Sequence, residues 1–160
     1  MYSLKNLIAA LVLIISVDTQ AQNSSYDISP IKNSEEVPEA TVYSIEGKEL
    51  NLKDYVGEKS AVIVFYRGGW CPYCMRHLSA LQEIKSDIDR MGYDLIAIAP
   101  DDFSNLDKTI ENSKGIDYTM ISDKNANAIN AFGIGWTVDP KMFEKYKNEY
   151  SIDLESWSGD

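Results

Sequence analysis

The sequence predicts an α/β fold, a central sheet with helices on both faces, and three observations carry that expectation. "AVIVFY" (61–66) is a continuous apolar run, the pattern of a strand buried on both faces of a sheet, and "YDLIAIAP" (93–100) reads as a second buried strand. Between them, apolar residues recur every three or four positions, which is one face of a helix. The same strand-then-helix order repeats down the chain, and that order implies a parallel sheet covered on both sides. A length of 160 residues suits one domain with a core of useful size.

The elements follow in order. "MYSLKNLIAALVLIISVDTQA" places Lys5 ahead of an apolar run, Leu7–Ile15, and ends on a small-residue site. This is the layout of a signal peptide spanning 1–21, with cleavage after Ala21. The run falls short of the roughly 20 residues a membrane span needs, so no stable membrane association is expected after cleavage. The expected location is exported: periplasmic in a Gram-negative cell, extracellular otherwise. Residues 22–38 are polar with two prolines and predict a linker or N-terminal arm, and the domain occupies 39–160.

"ATVYSIEGKELNLKDYVGE" predicts a hairpin turning at Glu46-Gly47-Lys48. "AVIVFY" is then the first central strand. Cys74, Leu78, Leu81, Ile84, Ile88 and Met91 define the buried face of the next helix, with Pro72 in its first turn and Gly92 at its end. After the strand 93–100, "DDFSNLDKTIENSKG" begins with acids and ends on Lys114-Gly115, the charge order that complements a helix dipole. "YTMISD" is a third strand and "KNANAINAFG" a short helix ending at Gly133.

Chemistry concentrates in "WCPYCMRH" (70–77), which holds both cysteines and the only histidine. It lies where the first central strand hands over to its helix, the sheet edge at which sites are built in parallel α/β folds. A disulfide across so few residues is a poor staple, because stabilisation by a cross-link grows with the loop it closes. Cysteines at i and i+3 around a helix start can still bridge, so the spacing favours redox work. Cys71, at the positive end of the helix dipole, is expected to be the more exposed thiol and to have a stabilised thiolate. No Asp or Glu occurs from Lys59 to Gln82, whereas Arg67, Arg76 and His77 all fall in that window. Cations and a missing carboxylate both favour a thiolate.

Other chemistries fit less well. The chain carries 25 acidic against 15 basic residues, a net charge of -10, and no basic patch that would hold a nucleic acid. A closed zinc site needs four ligands, and Cys71, Cys74 and His77 exhaust the cysteines and histidines. A c-type haem site needs histidine directly after the second cysteine, where Met75 stands. No cofactor or metal is therefore expected, and a metal chaperone built on those three residues ranks last.

The run "FYRGGWCPYC", together with "EGKELNLKDY", "AIAPDD" and "MISDKNANAINAFGI", resembles the thioredoxin superfamily from about Ala40 to Trp157. More narrowly, it resembles the peroxiredoxin-like (AhpC/TSA, redoxin-type) proteins that carry a CxxC. The resemblance implies a thioredoxin-like fold in which Cys71 attacks, Cys74 resolves, and the two form a redox-active disulfide. Trp70 packs beside them, and Pro72, Tyr73, Arg67, Arg76 and His77 complete the site as thiolate-tuning or substrate-contact residues. Implied partners are protein thiols or disulfides, small-molecule disulfides or peroxide, with an external thiol as electron donor. A redox-inactive binding domain is the reading from outside enzymology.

Three departures qualify the resemblance. In the peroxiredoxin pattern P-x-x-x-T-x-x-C the reactive cysteine matches Cys74, but Arg67 stands at the Pro and Cys71 at the Thr position. Disulfide exchange is therefore favoured over peroxide reduction. Thioredoxins carry a buried Asp six positions before the first cysteine, where this chain has Phe65. Related chains also continue into further strands, entered through a cis-proline, and a closing helix. Here only Pro140 follows the motif, so those elements are expected to be missing and one sheet edge to be unpaired.

Overall fold

The computed structural model describes residues 24–159. Residues 1–21, the expected signal peptide, lie outside them. Among the described residues no helix is long and apolar enough to cross a membrane. The elements are β1 (Thr41–Tyr43), β2 (Glu49–Asn51), α1 (Leu52–Val56), β3 (Ser60–Phe65), α2 (Pro72–Arg90) and β4 (Tyr93–Ala99). After a 3₁₀ turn, Phe103–Asn105, come α3 (Leu106–Asn112), β5 (Thr119–Ser122), α4 (Asn127–Ala131), α5 (Pro140–Glu149) and α6 (Leu154–Ser158).

One five-stranded sheet runs in the order β2-β1-β5-β4-β3. β3, β4 and β5 are parallel, while β1 pairs antiparallel with both β2 and β5. The sheet is thus mixed, because the hairpin joins the βαβ units at one edge. β3 sits at the opposite edge and is only half-buried, not a central strand covered on both faces. No strand follows β5 among the described residues; the segment containing Pro140 forms α5, with the proline in its first turn.

β4 shows why both faces must be covered. Leu95, Ala97 and Ala99 point to one side, where Met75, Leu78 and Ile88 of α2 and Leu106 of α3 pack. Ile96 and Ile98 point to the other, against Leu52 and Val56 of α1 and Ala128 of α4. Leu52, Leu78, Ile98 and Leu106 are fully buried, and each such side chain contributes about 2 kcal/mol of transfer free energy.

Several local expectations shift. The second run of the hairpin stops at Asn51, whose side chain accepts the Lys53 and Asp54 amides at 3.0 and 3.3 Å and starts α1. On α2 the buried positions are Met75, Leu78 and Ile88, while Ile84 and Met91 are exposed. Asp101 does not open a helix; Asp102 caps the 3₁₀ turn and α3 begins only at Leu106. Residues 24–38 form no regular element but are held. The Ser29 and Ile31 amides donate to Gly133 and Phe132 carbonyls at 3.0 and 3.1 Å, beyond the end of α4.

Candidate functional site

β3 ends at Phe65, and a short loop carries the chain to α2. Within it the Cys71 amide donates to the Gly68 carbonyl at 3.1 Å, closing a tight turn. Cys71 then serves as the N-cap of α2, with φ -91° and ψ 108°, and its Sγ accepts the Cys74 amide at 3.4 Å. Pro72 takes the first helical position, where no amide is needed. The motif therefore folds as its spacing predicts, with the first sulfur over the helix end and the second one turn along. Both cysteines are unbridged thiols.

The order of exposure is the reverse of that expected. Cys71 is 2% exposed, and Cys74 is half-buried. The capping geometry folds the first thiol back over its own helix. Burial, and then the hydrogen bond and charge of Cys71, push the Cys74 thiol up to about 11, against the opposing pull of the Arg67 amide and guanidinium. Cys74 is therefore protonated at neutral pH.

Around the thiols, the expected residues divide. The Arg67 guanidinium lies 4.7 Å from the Trp70 ring and 5.5 Å from that of Tyr146, and it donates to the Tyr146 hydroxyl. Trp70 and Tyr146 meet edge to face at 5.1 Å. This stack, with Tyr146 supplied by α5, borders an apolar cavity of about 370 Å³ that includes Phe65, Tyr66, Trp136 and Met142. Arg76 turns outward to the exposed Tyr73 ring, 5.3 Å away, and His77 is exposed. A second groove of about 580 Å³ runs past Trp70 and Pro72 between Arg76 and Lys114.

The window without acids in sequence is not without one in space. Asp101, just past β4, is 1% exposed, and its Oδ2 accepts the Gly69 amide at 2.7 Å. Burial pushes this carboxyl up to about 7, although the Gly69 amide opposes the shift. Tyr66 lies in the same core region, its hydroxyl buried with no hydrogen-bond partner among the described residues. Burial, then the charge of Asp101, holds that phenol well above its usual range. Sequence reasoning missed Asp101, Tyr66 and Tyr146. For Asp101 a signal existed: an acid two residues past the apolar end of a strand, "LIAIA", at the sheet edge that carries the motif. For Tyr146 there was none, since nothing local says which strand end a distant helix will cover.

A family model described as the AhpC/TSA family matches residues 34–154. The chain is 27% identical over 109 residues to the thiol-disulfide oxidoreductase ResA of Bacillus thuringiensis (strain Al Hakam), covering 68% of this chain and 62% of ResA. It thus spans about six tenths of the length of that curated relative. It is 28% identical over 127 residues to the putative peroxiredoxin bcp of Haemophilus influenzae, covering 79% of this chain and 80% of that protein. Among solved structures, reduced Prx3 of Vibrio vulnificus in complex with H2O2 superposes with a TM-score of 0.60 at 17% identity, over 64% of this chain and 68% of the other. BcpB of Mycobacterium tuberculosis gives 0.55 at 18% identity, over 62% and 64%. The superpositions give the architecture, thioredoxin-like as in peroxiredoxins, and the match over three quarters of the sequence gives the lineage: this chain belongs to the AhpC/TSA family.

Proposed function

We propose that this protein is an exported thiol–disulfide oxidoreductase working through Cys71 and Cys74. The observation that carries the reading is the N-cap geometry, in which Cys71 Sγ sits over the start of α2 within 3.4 Å of the Cys74 amide. A sulfur there accepts an amide of the first helical turn and stands one turn from the second thiol, the arrangement a dithiol exchange site needs. The Cys71 thiolate attacks a substrate disulfide, forming a mixed disulfide and releasing one substrate thiolate. Cys74, once deprotonated, attacks Cys71 Sγ, releasing the second substrate thiolate and closing the Cys71–Cys74 disulfide. Two electrons pass to the substrate, and an external thiol donor returns them. Run backwards, the same steps oxidise a protein dithiol. Export agrees with the N-terminal apolar segment, and the likeness to ResA supports dithiol exchange as the activity.

A thiol peroxidase is the second reading, favoured by the likeness to bcp. Its reactive cysteine would be Cys74. That thiol is pushed up to about 11, and peroxide attack needs a thiolate, so exchange through Cys71 ranks first.

The test is a thiol-trapping titration of the chain lacking residues 1–21 in glutathione buffers. Exchange requires a two-electron transition between about -120 and -270 mV. It also requires that Cys74→Ser accumulate a mixed disulfide while Cys71→Ser accumulates none. Peroxide consumption with a sulfenic acid on Cys74, and no mixed disulfide, transfers the assignment to the peroxidase. A pair that stays oxidised across that range leaves a redox-inactive binding domain.

A further inference from the structure

The loop that carries Cys71 is gripped by segments distant in sequence, the end of β4 and helices α3 and α6. Gly68 and Gly69 are both buried, and neither has room for a side chain. A Cβ on Gly69 would collide with Thr109 Oγ1 of α3 and lie 2.9 Å from the Trp157 ring of α6. A Cβ on Gly68, whose φ is +143°, would collide with the Trp70 indole nitrogen and lie 2.7 Å from Asp101 Oδ1. The two glycines thus exist so that the backbone can lie directly against Asp101 and Thr109.

The contact is bonded as well as close. Asp101 Oδ2 accepts the Gly69 amide at 2.7 Å, and the next turn closes from the Cys71 amide to the Gly68 carbonyl at 3.1 Å. Asp101 is itself fixed, because its carbonyl accepts the Ser122 hydroxyl of β5 at 2.7 Å. Ser122, Asp101 and Cys71 are each no more than 2% exposed. A continuous buried path therefore runs from β5 through Asp101 and Gly69 to the N-cap of α2. A carboxylate is an unusual occupant of such a place. With 1% exposure it has the Gly69 amide as its hydrogen-bond donor, and no salt bridge to it occurs among the described residues. Of the charged side chains, Arg67 and Glu155 border the cavity that Asp101 lines.

We propose that Asp101 is a positioning residue of the dithiol site, whose carboxylate clamps the Gly68–Gly69 turn and so holds the Cys71 sulfur buried over the start of α2. The inference rests on the dithiol-exchange reading for its functional meaning. Its structural content is that access to Cys71 is set by one hydrogen bond from β4's end. In Asp101→Ala the Gly69 amide loses its acceptor in a buried place, and the turn opens. In Asp101→Asn the side-chain oxygen still accepts that amide, and the turn stays closed.

Native-state alkylation of Cys71 by iodoacetamide, in the reduced full chain with Cys74→Ser as background, tests this. Asp101→Ala is expected to raise the rate at least tenfold while circular dichroism shows a folded chain, and Asp101→Asn to return it to within about threefold of the parent. In chains retaining both cysteines, the midpoint potential should move with Asp101→Ala and return with Asp101→Asn. A folded Asp101→Ala variant with parental alkylation rate and potential overturns the proposal. If Asp101→Ala does not fold, hydrogen exchange at the Gly69 amide of the unsubstituted chain decides. Protection supports the clamp, and exchange at the rate of a free peptide overturns it. Alkylation and hydrogen exchange need no substrate, so they judge Asp101 even if the parent dithiol shows no two-electron transition, an outcome that would sink the exchange reading instead.

Discussion

At the scale of single residues, the two cysteines differ because one caps a helix and the other lies inside it. Cys71 has the helix amides in front of it, whereas Cys74 has partial burial and the Cys71 sulfur against it. The guanidinium of Arg67 works in the opposite direction and favours the Cys74 thiolate. Arg67→Met should therefore reduce the Cys74 thiolate fraction and slow release of the mixed disulfide, by about threefold. Stopped-flow measurement of thiol release at pH 8 checks this; an unchanged rate would mean that the guanidinium is spent on the Trp70–Tyr146 stack alone. Arg67 was legible from sequence as a cation in the motif's window. Its aromatic partner Tyr146 was not, because 79 residues separate them and only the fold brings α5 to the end of β3.

At the scale of elements, the thiol loop is a junction made by two glycines, and the sequence shows them plainly as Gly68-Gly69 without showing what they make room for. Gly69→Ala should cost about 1–3 kcal/mol through the collision with Thr109 Oγ1, read as a fall in the urea midpoint at unchanged slope. Adding Thr109→Ala should recover part of that loss, since the Trp157 ring remains close. A capping effect of ordinary size is expected at α1, where Asn51→Ala removes the acceptor of the Lys53 and Asp54 amides and should cost about 1 kcal/mol. Thermal unfolding measures it. The strands and α2 were legible because apolar runs and helical spacing are local signals. The α1 turn was hidden inside what looked like a second alternating run, and the start of α3 was misplaced because Asp101 and Asp102 look alike in sequence. One of them caps a turn and the other is buried.

At the scale of the whole molecule, two buried carboxyls make stability depend on pH in an unusual direction. Asp101 is pushed up to about 7 and Asp123 to about 6, in both cases chiefly by burial, with three amides at the start of α4 opposing the shift at Asp123. A carboxyl with a folded pKa above its unfolded value binds its proton more tightly when folded. Its contribution is fully present below the unfolded pKa and is lost as pH rises through the folded one. Between about pH 4 and 7 these two groups should therefore lower the unfolding free energy, by a ceiling of about 4 kcal/mol for Asp101. Urea titrations from pH 4 to 8 should show the decline, and Asp101→Asn should flatten it by stabilising the chain at pH 8 more than at pH 4. A variant with the parent's slope would show that the Asp101 carboxyl titrates like an exposed one.

The sequence by itself determined the α/β class, the strands in "AVIVFY" and "YDLIAIAP", the helix opened by Pro72 and the placement of Cys71 and Cys74 at that helix start. Each of these rests on neighbours within one turn or one strand, where periodicity and capping chemistry act. Tertiary structure alone decided which thiol is covered, that β3 lies at a sheet edge, and that an acid reaches the acid-free motif. Those depend on what packs against a segment from far along the chain. Burial and charge at a site are set by distance in space, and a window of sequence carries no measure of that.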